Sequence, residues 1–95
     1  MKFEWDESKA RTNFHKHGVD LVDAARIFDD QAASHVIDER MDYGEERIEA
    51  IGIVDGVVLV VIYVERGEFI RLISARKATR LEEHGHLKER WAGPD

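Results

Sequence analysis

A chain of 95 residues, 43% apolar and 36% charged, has the balance of one soluble globular domain over residues 1–95 and is too short for two. It has no cysteine, which excludes disulfides, thiol chemistry and cysteine-based zinc sites, and its longest apolar run, Val57 to Val64, is far below the ~20 residues of a membrane helix. The net charge of −6 argues against non-specific coating of nucleic acid, and the N-terminus has no signal-peptide pattern, so a cytosolic protein without a membrane partner is expected.

Asp6 is placed to cap a helix over Glu7 to Lys16, with Ala10, Asn13 and Phe14 at helical spacing and His17-Gly18 as the stop. Before it, Phe3-Glu4-Trp5 reads as an aromatic staple or an edge strand, with core packing the preferred role. Asp20 caps a second helix whose apolar stripe is Leu21, Ala24, Ala25 and Phe28. Ser34 to Glu39 is a short strand, followed by a turn at Met41-Asp42-Tyr43-Gly44.

Arg47 to Val54 and Val57 to Val64 are β-branched runs separated by Asp55-Gly56, the pair that supplies positive φ at both centres of a type I′ hairpin. The register follows from that turn: Ile51 faces Val60, Arg47 faces Val64 and Glu45 faces Arg66. A second hairpin turning at Arg66-Gly67 puts Val64 beside Phe69, Ile62 beside Arg71 and Val57 beside Arg76. Arg47 and Arg76 are then seven residues of one strand apart, about 23 Å at 3.3 Å per residue. Thr79-Arg80-Leu81-Glu82 is a capping box for a final helix carrying Leu81, Leu87 and Trp91. The expected fold is α+β: two N-terminal helices, a mostly antiparallel sheet of three or four strands, and a C-terminal helix. Val57 to Val64 is apolar on both faces and needs cover on both, from the last helix or from another chain.

No Gly-x-Ser-x-Gly, phosphate-binding Gly-x-x-x-x-Gly-Lys, His-Glu-x-x-His or calcium loop is present. The His15/His17 and His84/His86 pairs fall on helical positions, where residues two apart diverge, so no metal site is expected. The positive charge lies late in the chain: residues 65–90 carry 7 basic and 5 acidic groups, against 2 and 7 in residues 31–64. Guanidinium groups match phosphate oxygens with a planar fork. Arg71 shares a strand face with Ile62 and Glu49, and either pairs with Glu49 or holds a ligand. Arg76, beside Lys77, is either an anion cradle or a partner of Asp55. Arg47 with Glu45 and Glu46 is a solvated hairpin edge or an acid/base and phosphate pair, and His17 after Lys16 is a helix end favoured by the dipole or a functional imidazole.

Phe3-Glu4-Trp5-Asp6, Lys9, Asn13, Lys16-His17-Gly18-Val19, Phe28-Asp29-Asp30, Gly44-Glu45-Glu46-Arg47, Ile51-Gly52, Arg66-Gly67 and Ile73-Ser74-Ala75-Arg76-Lys77-Ala78-Thr79-Arg80 together resemble the BrnT-type toxins of type II toxin-antitoxin systems, from residue 3 to about residue 82. The resemblance implies a RelE-like fold and an endoribonuclease that arrests growth and needs no metal or cofactor. It also implies neutralisation by a BrnA-type antitoxin, whose ribbon-helix-helix domain would supply the only link to DNA. Carried onto this sequence, Arg47 and Arg76 become phosphate clamps, His17 and Lys16 the acid/base and cation, and Glu46 an alternative base; Arg71 joins them from the register. A catalytically silent module that presents an arginine-lined face to an acidic partner is the alternative.

Overall fold

Each helix of this chain starts where a short polar side chain can take up the free N–H groups of its first turn. The structure, a computed structural model that describes residues 1–39 and 44–92, begins with β1 (Lys2–Glu4), α1 (Glu7–His17) and α2 (Leu21–Ala24), the last continued by a 3-10 segment Ala25–Asp29. The strands β2 (Ser34–Asp38), β3 (Arg47–Val54), β4 (Val57–Arg66) and β5 (Phe69–Lys77) follow, and then α3 (Arg80–Trp91). Asp6 caps α1 by accepting the Lys9 N–H at 3.0 Å, and Gly18 ends the helix at φ 71. Asp20 caps α2 through the Val22 N–H. The second helix tightens after Ala24, and the narrower turn makes Ile27 the fully buried residue while Ala25 and Phe28 stay half-buried. Of the turn expected at Met41-Asp42-Tyr43-Gly44 only Gly44, at φ 76, is described; residues 40–43 and 93–95 lie outside the described residues.

The sheet has five strands in the order β1-β5-β4-β3-β2, not three or four. The aromatic N-terminal stretch fills both roles considered for it: Phe3 and Trp5 pack against the core, and Lys2–Glu4 pairs in parallel with Phe69–Arg71. The first hairpin has the expected register, with Ile51 opposite Val60, Asp55 at φ 50 and Gly56 at φ 78. Glu45 meets Arg66 at 3.1 Å, as expected.

The second hairpin departs from expectation. Arg66 pairs with Phe69, so the turn is Gly67-Glu68 with positive φ at Gly67, its first central residue, which is the II′ pattern. Val64 therefore faces Arg71, not Phe69. A β-bulge follows: Tyr63 pairs with Leu72 and Ile62 with Ser74, which leaves Ile73 as the extra residue and brings Arg76 opposite Val60 rather than Val57.

One sheet face carries Ala50, Leu59, Val61, Tyr63 and Leu72 into the core beneath α1, α2 and the 3-10 segment. Gly52 on this face is required by close approach, since a Cβ there would meet Ala33 and Ile27 at 2.8 Å. The opposite face carries Val58, Val60 and Val64, and α3 crosses its Asp55-Gly56 end. Both halves of the Thr79/Glu82 capping box form. Arg76 donates to both oxygens of Glu82 at 2.7 and 2.9 Å near the start of α3, and Arg90 donates to both oxygens of Asp30 at 2.8 and 3.1 Å near its end. These links fix the helix's rotation about its axis. Glu82, His86 and Arg90, one turn apart, therefore point inward, with His86 only 5% exposed, while Leu81 and Trp91 stand 82% and 84% exposed. Of the expected apolar stripe of this helix only Leu87 is half-buried, beside Ile53.

Candidate functional site

β1 reaches only as far as Arg71 along β5, so the outer edge of β5 beyond it is left to α1. Asn13, 6% exposed, covers that edge as a strand would: its Nδ2 donates to the Ala75 carbonyl at 2.9 Å and its Oδ1 accepts the Ala75 N–H at 3.1 Å. The second Nδ2 hydrogen goes to the Val19 carbonyl at 3.0 Å. A buried amide satisfied in this way pins α1 against the strand. The result is a groove of about 260 Å³ between helix and strand, lined by Lys9, Thr12, Asn13, Lys16, His17, Ile73 and Ser74.

Arg71 and Arg76 are five residues apart, a spacing that would point them to opposite faces of an unbroken strand. The bulge at Ile73 removes that alternation. Arg71, Ser74 and Arg76 face Val64, Ile62 and Val60, alternate residues of β4, so all three project from one face at intervals of about 7 Å. Ser74 also lines the groove that holds Lys16 and His17, and so joins the groove to the arginine-bearing face.

Across the sheet, Glu4 pairs with Arg71, Arg71 with Val64, and Asp38 with Arg47. Continuing the β3–β4 register one step past Ile48 and Tyr63 sets Arg47 level with Val64. A buried valine thus sits between two half-buried arginines, with a carboxylate beyond each. Arg47 is two strands from Arg71, about 10 Å at the usual spacing. Arg76 is four residues of β4 from the level of Arg47, about 13 Å along the strand rather than 23 Å, still too far to share a phosphate. Glu46, exposed just ahead of β3, lies on the same distant side, so the structure does not bring Glu46 or Arg47 to Lys16 and His17.

The carboxylate near Arg71 is Glu4 at 3.4 Å, not Glu49 as the expected register implied. Asp55, the alternative expected for Arg76, is instead held by Arg26, and the hydrogen bond between them lowers the Asp55 carboxyl below its usual range. Arg76 is turned onto Glu82, and its hydrogen bonds hold the Glu82 carboxyl down at about 2 against the opposing effect of burial. Arg90 does the same to Asp30, also about 2, helped by the N–H groups of Ile53 and Ala32.

Both histidine pairs lie on helices, as expected; His86 is buried and His84 exposed. Among the described residues no group of three or more His, Asp or Glu side chains is arranged to hold a metal ion. Asn13 and Ser74 had no role assigned from sequence. Asn13 left a trace there, as a polar residue in the stripe of α1 that should face the core. Ser74 left none, because its orientation depends on the bulge.

No curated protein matches the chain in sequence. A family model described as the ribonuclease toxin BrnT of type II toxin-antitoxin systems matches residues 5–82, a span that runs from the residue before the α1 cap through β5 to the capping box of α3. The chain belongs to this family of type II toxin-antitoxin ribonuclease toxins.

Proposed function

We propose that the protein is a metal-independent endoribonuclease whose site lies where β5 meets α1, and that a BrnA-type antitoxin with a ribbon-helix-helix domain neutralises it and supplies its only link to DNA. The observation that carries this reading is the bulge at Ile73, which turns Arg71 and Ser74 to one face while Ser74 also lines the groove of Lys16 and His17. Bulges of this kind commonly re-aim side chains next to active sites. In the reaction the ribose 2′-OH loses its proton and attacks the adjacent phosphorus. The bond to the 5′-oxygen breaks and that oxygen takes up a proton, leaving a cyclic phosphate or its hydrolysis product.

His17 moves the proton in this scheme, while Lys16 and Arg71 stabilise the charge that builds on the phosphoryl oxygens. Arg76, engaged by Glu82, acts by holding α3 and the end of β5 in place. Arg47 contacts a flanking nucleotide, and Glu46, two strands away, is too distant to replace His17 as the base. In this scheme Lys16 and Arg71 carry the electrostatic role that a metal ion would otherwise play, and cleavage in the presence of a chelator tests that assignment.

The test is cleavage of a defined RNA by purified protein in the presence of a chelator, with growth and total RNA followed in a bacterial host. Wild type is expected to cut with chelator present, and the antitoxin to abolish cutting. His17→Ala is expected to lose about 10²- to 10⁴-fold in rate, the usual span for a lost acid or base. Full activity of His17→Ala, Lys16→Ala and Arg71→Ala together would place the site elsewhere. Antitoxin binding without any RNA cleavage would leave the silent interaction module. Arg76→Ala is a poorer probe, because it also releases α3.

A further inference from the structure

Resting on the reading above, we propose that the groove between α1 and β5 is a track for the backbone of single-stranded RNA flanking the cleaved bond, with Lys9 as a phosphate contact outside the catalytic group. Lys9, Thr12 and Lys16 occupy one side of α1 at helical spacing and all line the groove. Lys9 and Lys16 stand about 10 Å apart at 1.5 Å per residue, so the positive strip extends beyond the site of cleavage. Among the described residues no carboxylate lines it. The contrast with the other edge of the sheet is direct: among the described residues, the groove beside β2 is lined by Asp38, Glu39 and Glu49 with Val36 and Ile37 and by no cation. In a protein of net charge −6, a polyanion is therefore drawn to the β5 edge and turned away from the β2 edge.

The donors left over in the groove decide what part of the RNA it takes. Both Nδ2 hydrogens of Asn13 are spent on the Val19 and Ala75 carbonyls, and the Thr12 hydroxyl donates to the Ser8 carbonyl at 3.1 Å. Lys9, Lys16, His17 and Ser74 remain, a set that suits phosphate oxygens and has no amide to read a base edge. Among the described residues no Phe, Tyr or Trp lines the groove, and His17 is the one ring on which a base could stack. The contact is thus to the phosphodiester chain and independent of sequence. A groove of about 260 Å³ flanked by one helix and one strand edge has room for a single strand rather than a duplex.

The experiment measures binding of a 2′-O-methyl oligonucleotide, which cannot be cut, to the full chain across a range of salt concentrations, beside cleavage of the unmodified RNA. Lys9→Ala is compared with Arg11→Ala, which removes the same charge from the same helix but lines a different groove with Glu7 and His15. Lys9 is exposed and its backbone N–H, not its side chain, takes the Asp6 cap, so the substitution leaves the helix intact. Lys9→Ala is expected to weaken binding several-fold, to make the salt slope shallower by about 0.7 and to raise KM with kcat unchanged, with Arg11→Ala as wild type. Equal binding by wild type and Lys9→Ala, or equal loss in both variants, would overturn the track. So would a loss confined to duplex RNA, or a Lys9→Ala defect in antitoxin binding alone, which would make the groove a seat for an acidic protein segment. Binding by wild type that depends on Lys9 without any cleavage would remove the catalytic reading and leave the track standing.

Discussion

On one side of the sheet, Leu21, Ala24 and Ile27 are buried completely with Ala50 and Val61; on the other, α3 has His86 as its buried residue, Leu87 beside Ile53, and Leu81 and Trp91 turned to water. The first side is held by apolar area, worth about 1.5–3 kcal/mol for each large side chain it removes from water. The second is held at its two ends by arginine forks on Glu82 and Asp30, of which the Asp30 carboxylate is the more enclosed. One layer therefore belongs to the cooperative core, whereas the other is a clasp fastened by charge. A helix fastened in this way can loosen locally without unfolding the sheet it covers.

Ile27→Ala should be the most damaging change, costing about 2–5 kcal/mol in denaturant unfolding and loosening both layers together. A loss below 1 kcal/mol would mean that α2 is no more part of the core than α3. Asp30→Ala, which removes the Arg90 fork and the acceptor for the Ile53 and Ala32 N–H groups, should cost about 2–3 kcal/mol. Its signature is faster hydrogen exchange in α3 with α1 still protected; equal loosening of both helices would erase the distinction.

Acid should act on the clasp in a definite window. The Glu82 and Asp30 carboxyls are depressed to about 2 from 4.5 and 3.8, so their contribution is complete above those unfolded values and is lost as pH falls through about 2. Between pH 4 and 2, NMR amide signals of α3 should shift and exchange before those of α1, and α3 signals that persist at pH 1.5 would show that it is held by something other than these pairs. Leu81→Ala is the smallest expected effect, within about 0.5 kcal/mol, because the side chain already stands in water. A larger loss would reveal a covered outer surface on α3.

The legible parts of the fold were those written in consecutive residues. Asp55-Gly56 specified the first hairpin and its register because a turn with two positive φ values leaves the strands one way to pair. The caps at Asp6, Asp20 and Thr79 were readable for the same reason, each acting within three residues. The second hairpin was misread by one turn position, since Gly67 serves equally well as either central residue, and the bulge at Ile73 then shifted Arg76 again. Of the candidate residues, Lys16 and His17 line the groove at the β5 edge, Arg71 lies further along β5 beside β1, and Arg47 and Glu46 lie two strands off because the sheet's width intervenes.

The sequence by itself determined where helices start and stop, the first hairpin's pairing, and the need for cover on both faces of β4, all through interactions between near neighbours or through simple period. Only the tertiary structure decided that Lys2–Glu4 joins β5 as a fifth strand, that α3 turns its polar side inward, and that Arg71, Ser74 and Arg76 share a face. Those outcomes depend on contacts between residues far apart in the chain, such as Asn13 with Ala75 and Asp30 with Arg90, 62 and 60 residues away. Such pairings compete on packing and charge across the whole molecule, and no local pattern records which of them wins.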